Sequence, residues 1–273
     1  MTKLHNYELD NNQIRTQAPS VFSENPYHEV SEKYKFIPTI EVIDALRSHG
    51  WKPVDATQKN VRTRQKVNFT KHLIRFRRLG DDIVVGDSVV EIILTNSHDR
   101  SSGFILHAGI FRMACANGIV TDDATFGRIA IRHSGDAPEQ VIEGSYKVID
   151  EVPTIVNSVE KMQSVKLNYD EKLEYAGHVL DLILPDRENI STEDNLLKKR
   201  IITPKRSADL KDDLWTVYNV AQEKVLKGGI KYVKMNEKRG LVRNTTRAIK
   251  SIDRNIKINK DLWSVTTDFM KAA

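Results

Sequence analysis

Between Ala56 and Gly80 the chain has no Asp or Glu, while Lys59, Arg62, Arg64, Lys66, Lys71, Arg75, Arg77 and Arg78 give it a net charge of +8. A second basic stretch, Lys227 to Lys260, sets eleven Lys and Arg against Glu237 and Asp253, a net +9. The whole chain carries only +5, so the remainder stands at −12. Charge segregated in this way points to a localised anion-binding surface. The chemistry such residues can do is electrostatic: closely spaced cations neutralise phosphates, and aromatics beside them, here Phe69 and Phe76, can stack on unpaired bases. Strand alternation over Leu73–Arg77 places Arg75 and Arg77 on one face and Ile74 and Phe76 on the other, so the two cations should project together while Phe76 packs inward. Arg243, Arg247, Lys250 and Arg254 fall at i, i+4, i+7 and i+11, which predicts a helix over about 242–254 with a cationic rail. Ala248, Ile249, Ile252 and Ile256 would form its buried side.

Other reactive side chains lack the spacing their chemistry needs. His98, Asp99, His107, Cys115 and His133 could ligate a metal, but none of them makes a close pair of the C-x₂-C or H-x₃-H kind. Cys115 reads as a small buried side chain on a strand, with no visible context to activate a thiolate. Asp99, Asp122 and Asp123 are the only leads toward a metal-dependent nuclease. No Walker A, G-x-G-x-x-G, H-E-x-x-H or G-x-S-x-G motif occurs. No catalytic residue, metal or cofactor is therefore expected. Trp215, Tyr218 and Trp263 lie in helical patterns and read as core or subunit contacts.

The elements that must carry the cations follow from periodicity. Residues 1–33 are polar and aperiodic and read as a flexible arm. An α+β core is expected over 34–165 and a helical region over 166–273. In the core, Thr39 should cap a helix that ends at Gly50. Strands are expected at Leu73–Arg77, Val89–Leu94, Phe104–Cys115 and Ile129–His133, with a hairpin turn at Asn117-Gly118. Turns this short favour an antiparallel sheet. Pro153 should kink or split the helix that follows. Leu173–Leu184 marks the next helix, and Ser207 should cap a longer one striped by Leu210, Leu214, Val217, Ala221 and Val225 and ended by Gly228-Gly229. A last helix is expected near 260–271. With 273 residues, one cysteine, no apolar leader and no run of some 18 apolar residues, the chain reads as a cytoplasmic protein without membrane contact.

Several short blocks, in order along the chain, carry a resemblance. They are Ala18-Pro19-Ser20-Val21-Phe22, Ser31-Glu32-Lys33-Tyr34, Ile37-Pro38-Thr39-Ile40, Thr70-Lys71-His72 and Asn96-Ser97-His98-Asp99. Then come Phe111-Arg112, Cys115, Asn117-Gly118-Ile119-Val120, Asp213-Leu214-Trp215-Thr216-Val217-Tyr218-Asn219, Gln222-Glu223 and Gly228-Gly229. In these, from about Ala18 to Trp263, the chain resembles the domain-of-unknown-function 932 family of phages, plasmids and integrated elements. Where that family has a glycine after His-Asp, this chain has Arg100. The resemblance implies a mobile-element setting and supplies no activity or catalytic residue. A strand meander followed by a long helix is also similar to the core of phage single-strand annealing proteins, by fold analogy alone.

Taken together, the expectation is a nucleic-acid-binding accessory protein, with single-stranded DNA favoured, acting in recombination or replication by backbone neutralisation. A second copy of the chain is the other partner expected. The alternatives are a protein-binding inhibitor or adaptor, such as one countering host defence, and the metal-dependent nuclease.

Overall fold

The computed structural model describes residues 7–27, 36–80, 82, 84–85, 88–112, 118–120, 129–131 and 136–272. The chain divides into two compact units, Met1–Ile155 and Val156–Ala273.

The first unit is built on an antiparallel sheet. Its N-terminal helix α1 (Asn11–Gln17) is closed by a capping box in which Asp10 and Gln13 each accept the other's backbone N–H, at 2.8 and 2.9 Å. A 3₁₀ turn at Pro19–Phe22 and helix α2 (Thr39–Ser48) follow. The strands are β1 (Lys52–Gln58), β2 (His72–Arg77), β3 (Val84–Val85), β4 (Ser88–Asn96), β5 (Phe104–Arg112), β6 (Gly118–Val120) and β7 (Ile129–Ile131). The sheet runs β1-β2-β4-β5-β6, with β3 paired to β4 and β7 to β5, all antiparallel. Because side chains alternate along a strand, this register gives the sheet two unlike faces. One is apolar: Ile74, Phe76, Ile92, Leu94, Leu106, Ala108 and Ile110 are fully buried. On that face Gly144 of the following helix comes so close to Leu106 that a β-carbon there would meet its side chain at 2.7 Å. The opposite face carries Arg75, Arg77 and Glu91.

The residues read as a loose arm are docked where they are described. Leu9, Ile14, Ala18 and Val21 are at most 1% exposed, and Leu9 N–H donates to the Pro53 carbonyl at 2.7 Å. Apolar residues three to five positions apart, with Ile14 alone buried from the helix itself, make a signal too brief to stand out among polar neighbours.

Helix α3 (Ala137–Ser164) begins in the first unit and ends in the second, and of the kink or split expected at Pro153, which is exposed, there is no split: the helix is continuous through it. The second unit continues with α4 (Tyr169–Ile183), α5 (Asp194–Ile202), α6 (Leu214–Lys227), the hairpin β8 (Lys231–Asn236) and β9 (Gly240–Thr245), and α7 (Ile252–Ala272). α6 starts later than expected. Ser207 sits in a 3₁₀ turn, Asp213 is the cap that accepts from Thr216 N–H at 2.9 Å, and Leu210 is 66% exposed. Gly228 and Gly229 end the helix at φ +67° and +87°, conformations that favour glycine. A β-carbon on Gly228 would lie 2.6 Å from both the Arg247 carbonyl carbon and the Thr246 carbonyl oxygen. That contact fixes where the second basic stretch leaves the hairpin.

Candidate nucleic-acid interface

The first basic stretch is divided between interior and surface. Arg75 and Arg77 do share a sheet face, as alternation required, but that face is buried: they are 5% and 2% exposed. Glu91, 0% exposed, lies between them. It accepts from Arg75 Nε and Nη2 at 2.6 and 3.0 Å and from Arg77 Nε and Nη2 at 3.1 and 2.5 Å. Asp55 on β1 reaches Arg75 at 3.4 Å, and Asp82 reaches Arg77 at 3.9 Å. Burial works against the Arg75 charge, but Glu91 and then Asp55 outweigh it and hold the guanidinium above its ordinary pKa. The expectation that Arg75 and Arg77 project to a ligand is therefore corrected. Their partner is a glutamate 14 and 16 residues further along the chain, brought opposite by the β2–β4 register. Lys71 is also buried, at 9%, and Arg78 is half-buried.

Lys59, Arg62 and Arg64 remain on the surface, with Lys66 half-buried and its ammonium 4.9 Å from the Tyr27 ring. None of these four side chains has a carboxylate partner among the described residues. The aromatics do not join them as stacking platforms: Phe76 is fully buried, and half-buried Phe69 packs on Tyr27 at 5.4 Å between ring centroids.

Beside this surface lies a buried polar cluster that sequence reasoning did not assemble. Thr39, expected as a helix cap, makes no cap bond; its Oγ1 turns inward to His72 Nε2 (3.0 Å), His98 Nε2 (3.1 Å) and Asn96 Nδ2 (2.9 Å). His72 Nδ1 is 2.8 Å from Ser20 Oγ and 3.2 Å from the Thr70 carbonyl oxygen. Proton accounting orders the group. The Thr70 carbonyl only accepts, so His72 Nδ1 carries the proton and its Nε2 accepts from Thr39 O–H. Thr39 already accepts from Asn96, and its remaining lone pair takes a proton from His98 Nε2. Burial depresses the His72 pKa to about 4, against smaller upward effects of the Thr70 carbonyl and Asp99, so the ring is neutral. Every member of this cluster is 0% exposed, which makes it a clamp joining the N-terminal 3₁₀ turn, α2, β2 and β4. The signal was present in the sequence, since Ser20, Thr39, His72, Asn96 and His98 all fall in the short blocks that carry the family resemblance. The adjoining loop holds Arg100 at φ +67°, the left-handed conformation that a glycine would adopt more easily.

The second basic stretch is not a helix over 242–254. Arg243 lies on β9, Arg247 and Lys250 lie in the irregular segment after it, and Arg254 lies in the first turn of α7. The 3.6-residue spacing of the cations was accidental. Asn244, Thr245 and Thr246 disfavour helix, and the backbone there pairs instead: Thr246 N–H donates to Ile230 O at 3.0 Å and Gly229 N–H to Thr246 O at 2.8 Å. Of the expected apolar side, Ile252 is buried, Ile249 and Ile256 are half-buried and Ala248 is exposed. The four cations nonetheless share one property. Arg243, Arg247, Lys250 and Arg254 are all exposed and have no carboxylate partner among the described residues. Neighbouring cations differ. Arg206 and Lys227 bind Glu223 at 2.8 and 2.5 Å. That carboxyl is held near pKa 2 although burial alone would raise it, because Arg206 and Lys227 bond to it.

Cys115, His133, Asp122 and Asp123 lie outside the described residues. Among those described, no group of three His, Cys, Asp or Glu is placed to hold a metal, and no helix is long and apolar enough to cross a membrane. His107 is buried on β5; Trp215 stacks on Tyr218 and both meet Trp263 edge-on within the second unit, at 5.6–6.5 Å between ring centroids.

A family model described as a domain of unknown function, DUF932, matches residues 26–263. The UPF0380 proteins YfjQ and YafZ of Escherichia coli (strain K12) are each 38% identical over 246 residues, covering 90% of this chain and 86% of theirs. No solved structure matches it. The resemblance carried by the short sequence blocks is thus shown over most of the chain, which belongs to the DUF932 family.

Proposed function

We propose that this protein is a cytoplasmic nucleic-acid-binding accessory factor of a mobile element, one that serves recombination or replication by holding DNA phosphates without covalent chemistry. One observation carries the reading: Arg75 and Arg77 are buried on a carboxylate, while Arg243, Arg247, Lys250, Arg254, Lys59, Arg62 and Arg64 are exposed without one among the described residues. An exposed cation costs little unpaired and so stays available, and a phosphate chain is the counter-anion such an arrangement fits. With Phe69 and Phe76 packed inward, the reading rests on backbone charge rather than on base stacking.

Binding to labelled single-stranded and duplex DNA, followed by anisotropy across salt concentrations, tests it. Affinity should fall roughly 10³-fold between about 50 and 200 mM salt for about six phosphate contacts, with slight sequence preference. Salt-insensitive binding, or none at low salt, would remove the proposal.

A further inference from the structure

The β8–β9 hairpin is unlike the helices around it. Over Lys231–Thr245 it carries five cations against Glu237 alone, a net +4. Its base is pinned within the second unit. Val233 N–H donates to Thr192 Oγ1 at 2.7 Å, Ser191 N–H donates to Val233 O at 2.8 Å, and Arg200 bonds the Lys231 carbonyl. An isolated antiparallel bridge of Ile190 with Lys234 is the outermost anchor of the ribbon among the described residues. The turn is rigid: Asn236 Oδ1 accepts from Lys238 and Arg239 N–H at 3.0 and 3.1 Å, and Gly240 closes it at φ +67°. Register puts Met235 opposite Leu241 and Val233 opposite Arg243, so these four share one face. At its outer end Met235 and Leu241 are 53% and 62% exposed, among the most exposed large apolar side chains described.

We propose that this ribbon enters the major groove of duplex DNA, with Met235 and Leu241 against base edges and the flanking cations on the phosphates. The proposal rests on the nucleic-acid reading above and adds to it a duplex partner and the element that enters it. Dimensions support it. Two strands about 4.8 Å apart with their side chains fill a groove about 12 Å wide and are too broad for one of about 6 Å. The two residues beyond Lys234, to Asn236, extend about 7 Å at roughly 3.4 Å each, most of a groove depth of about 8.5 Å. Apolar side chains at that depth meet the thymine methyl, the one apolar group on the groove floor. A second protein is a poorer occupant. Two side chains fall far below the roughly 800 Å² per partner of a stable protein interface, and a row of cations would face it.

The test is a pair of variants of the full chain, measured on duplex and single-stranded DNA at several salt concentrations. Met235→Ala/Leu241→Ala changes no charge and touches exposed positions. It should weaken duplex binding about tenfold, leave single-strand binding alone and keep the salt slope. Replacing thymine by uracil in the duplex should weaken the parent protein in the same direction and have no effect on the variant. Arg243→Gln/Arg247→Gln should weaken both substrates and lower the slope by about two. If the parent binds DNA in a salt-dependent way but the apolar variant matches it on the duplex, the ribbon proposal falls and the charge reading stands. Loss of a concentration-dependent dimer in the apolar variant, with duplex affinity unchanged, would reassign the ribbon to self-association. No binding by the parent would overturn both.

Discussion

The two basic stretches look alike in sequence, but the β2 end of the first is turned inward where the cations singled out in the second face water. In the first, Arg75 and Arg77 are turned inward onto Glu91 and Asp55, in a sheet face closed to water. In the second, Arg243, Arg247, Lys250 and Arg254 stand in water on a hairpin, the segment that leaves it and the first turn of α7. Charge density is the same observation in both; the difference is whether an acid at long sequence separation comes within bonding distance. A buried guanidinium without such an acid would cost several kcal/mol, so the fold supplies one. An exposed cation needs none, which leaves it available to a partner.

The largest expected effect follows from that contrast. Glu91→Gln keeps the shape of the side chain and removes the anion between two buried guanidiniums, so chemical denaturation should show a loss of about 3–5 kcal/mol. A cost as small as that of a surface substitution would show that water reaches the cluster and would erase the distinction between the stretches.

The buried histidine cluster gives the next effect, and a pH signature. His72 titrates near 4 in the folded protein and near its ordinary 6.5 when unfolded. Between these values the unfolded chain binds more protons, so the folded state loses stability as pH falls from about 6.5 to 4 and keeps it fully above that range. The whole step is on the order of 3 kcal/mol. His72→Gln should flatten this part of the stability profile, and a parent profile already flat there would mean the ring is not neutral and buried as described. Glu223 contributes at lower pH, since its carboxyl must be protonated against Arg206 and Lys227 between about 4.5 and 2.

The smallest effect is expected where the charges face water. Arg247→Gln with Lys250→Gln should change folding by only a few tenths of a kcal/mol, read in the same denaturation experiment. A loss above about 1 kcal/mol would show that these two cations have structural partners, and would make the second stretch resemble the first.

What was legible along the chain was whatever depends on near neighbours. Alternation placed Arg75 and Arg77 on one face of β2, β-branched runs gave β4 and the start of β5, and Gly228-Gly229 ended α6 where two left-handed residues were required. Apolar spacing gave α4 and the body of α6 and α7. The hairpin β8–β9 was also written locally, in Tyr232-Val233, the Asn236-to-Gly240 turn and Thr245-Thr246, a pattern that the helical spacing of the cations from Arg243 masks. Charged side chains at a surface pack against nothing, so their period says little about the backbone beneath them. Pairing across distance decided the rest. That Glu91 meets Arg75 and Arg77, and that Thr39 serves two histidines 33 and 59 residues away instead of capping its helix, follows from the sheet register and from where α2 crosses it. Sequence fixes how many cations the chain has and which of them share a strand; only the folded register, by bringing an acid into reach or leaving it out, determines which of them water and a phosphate can touch.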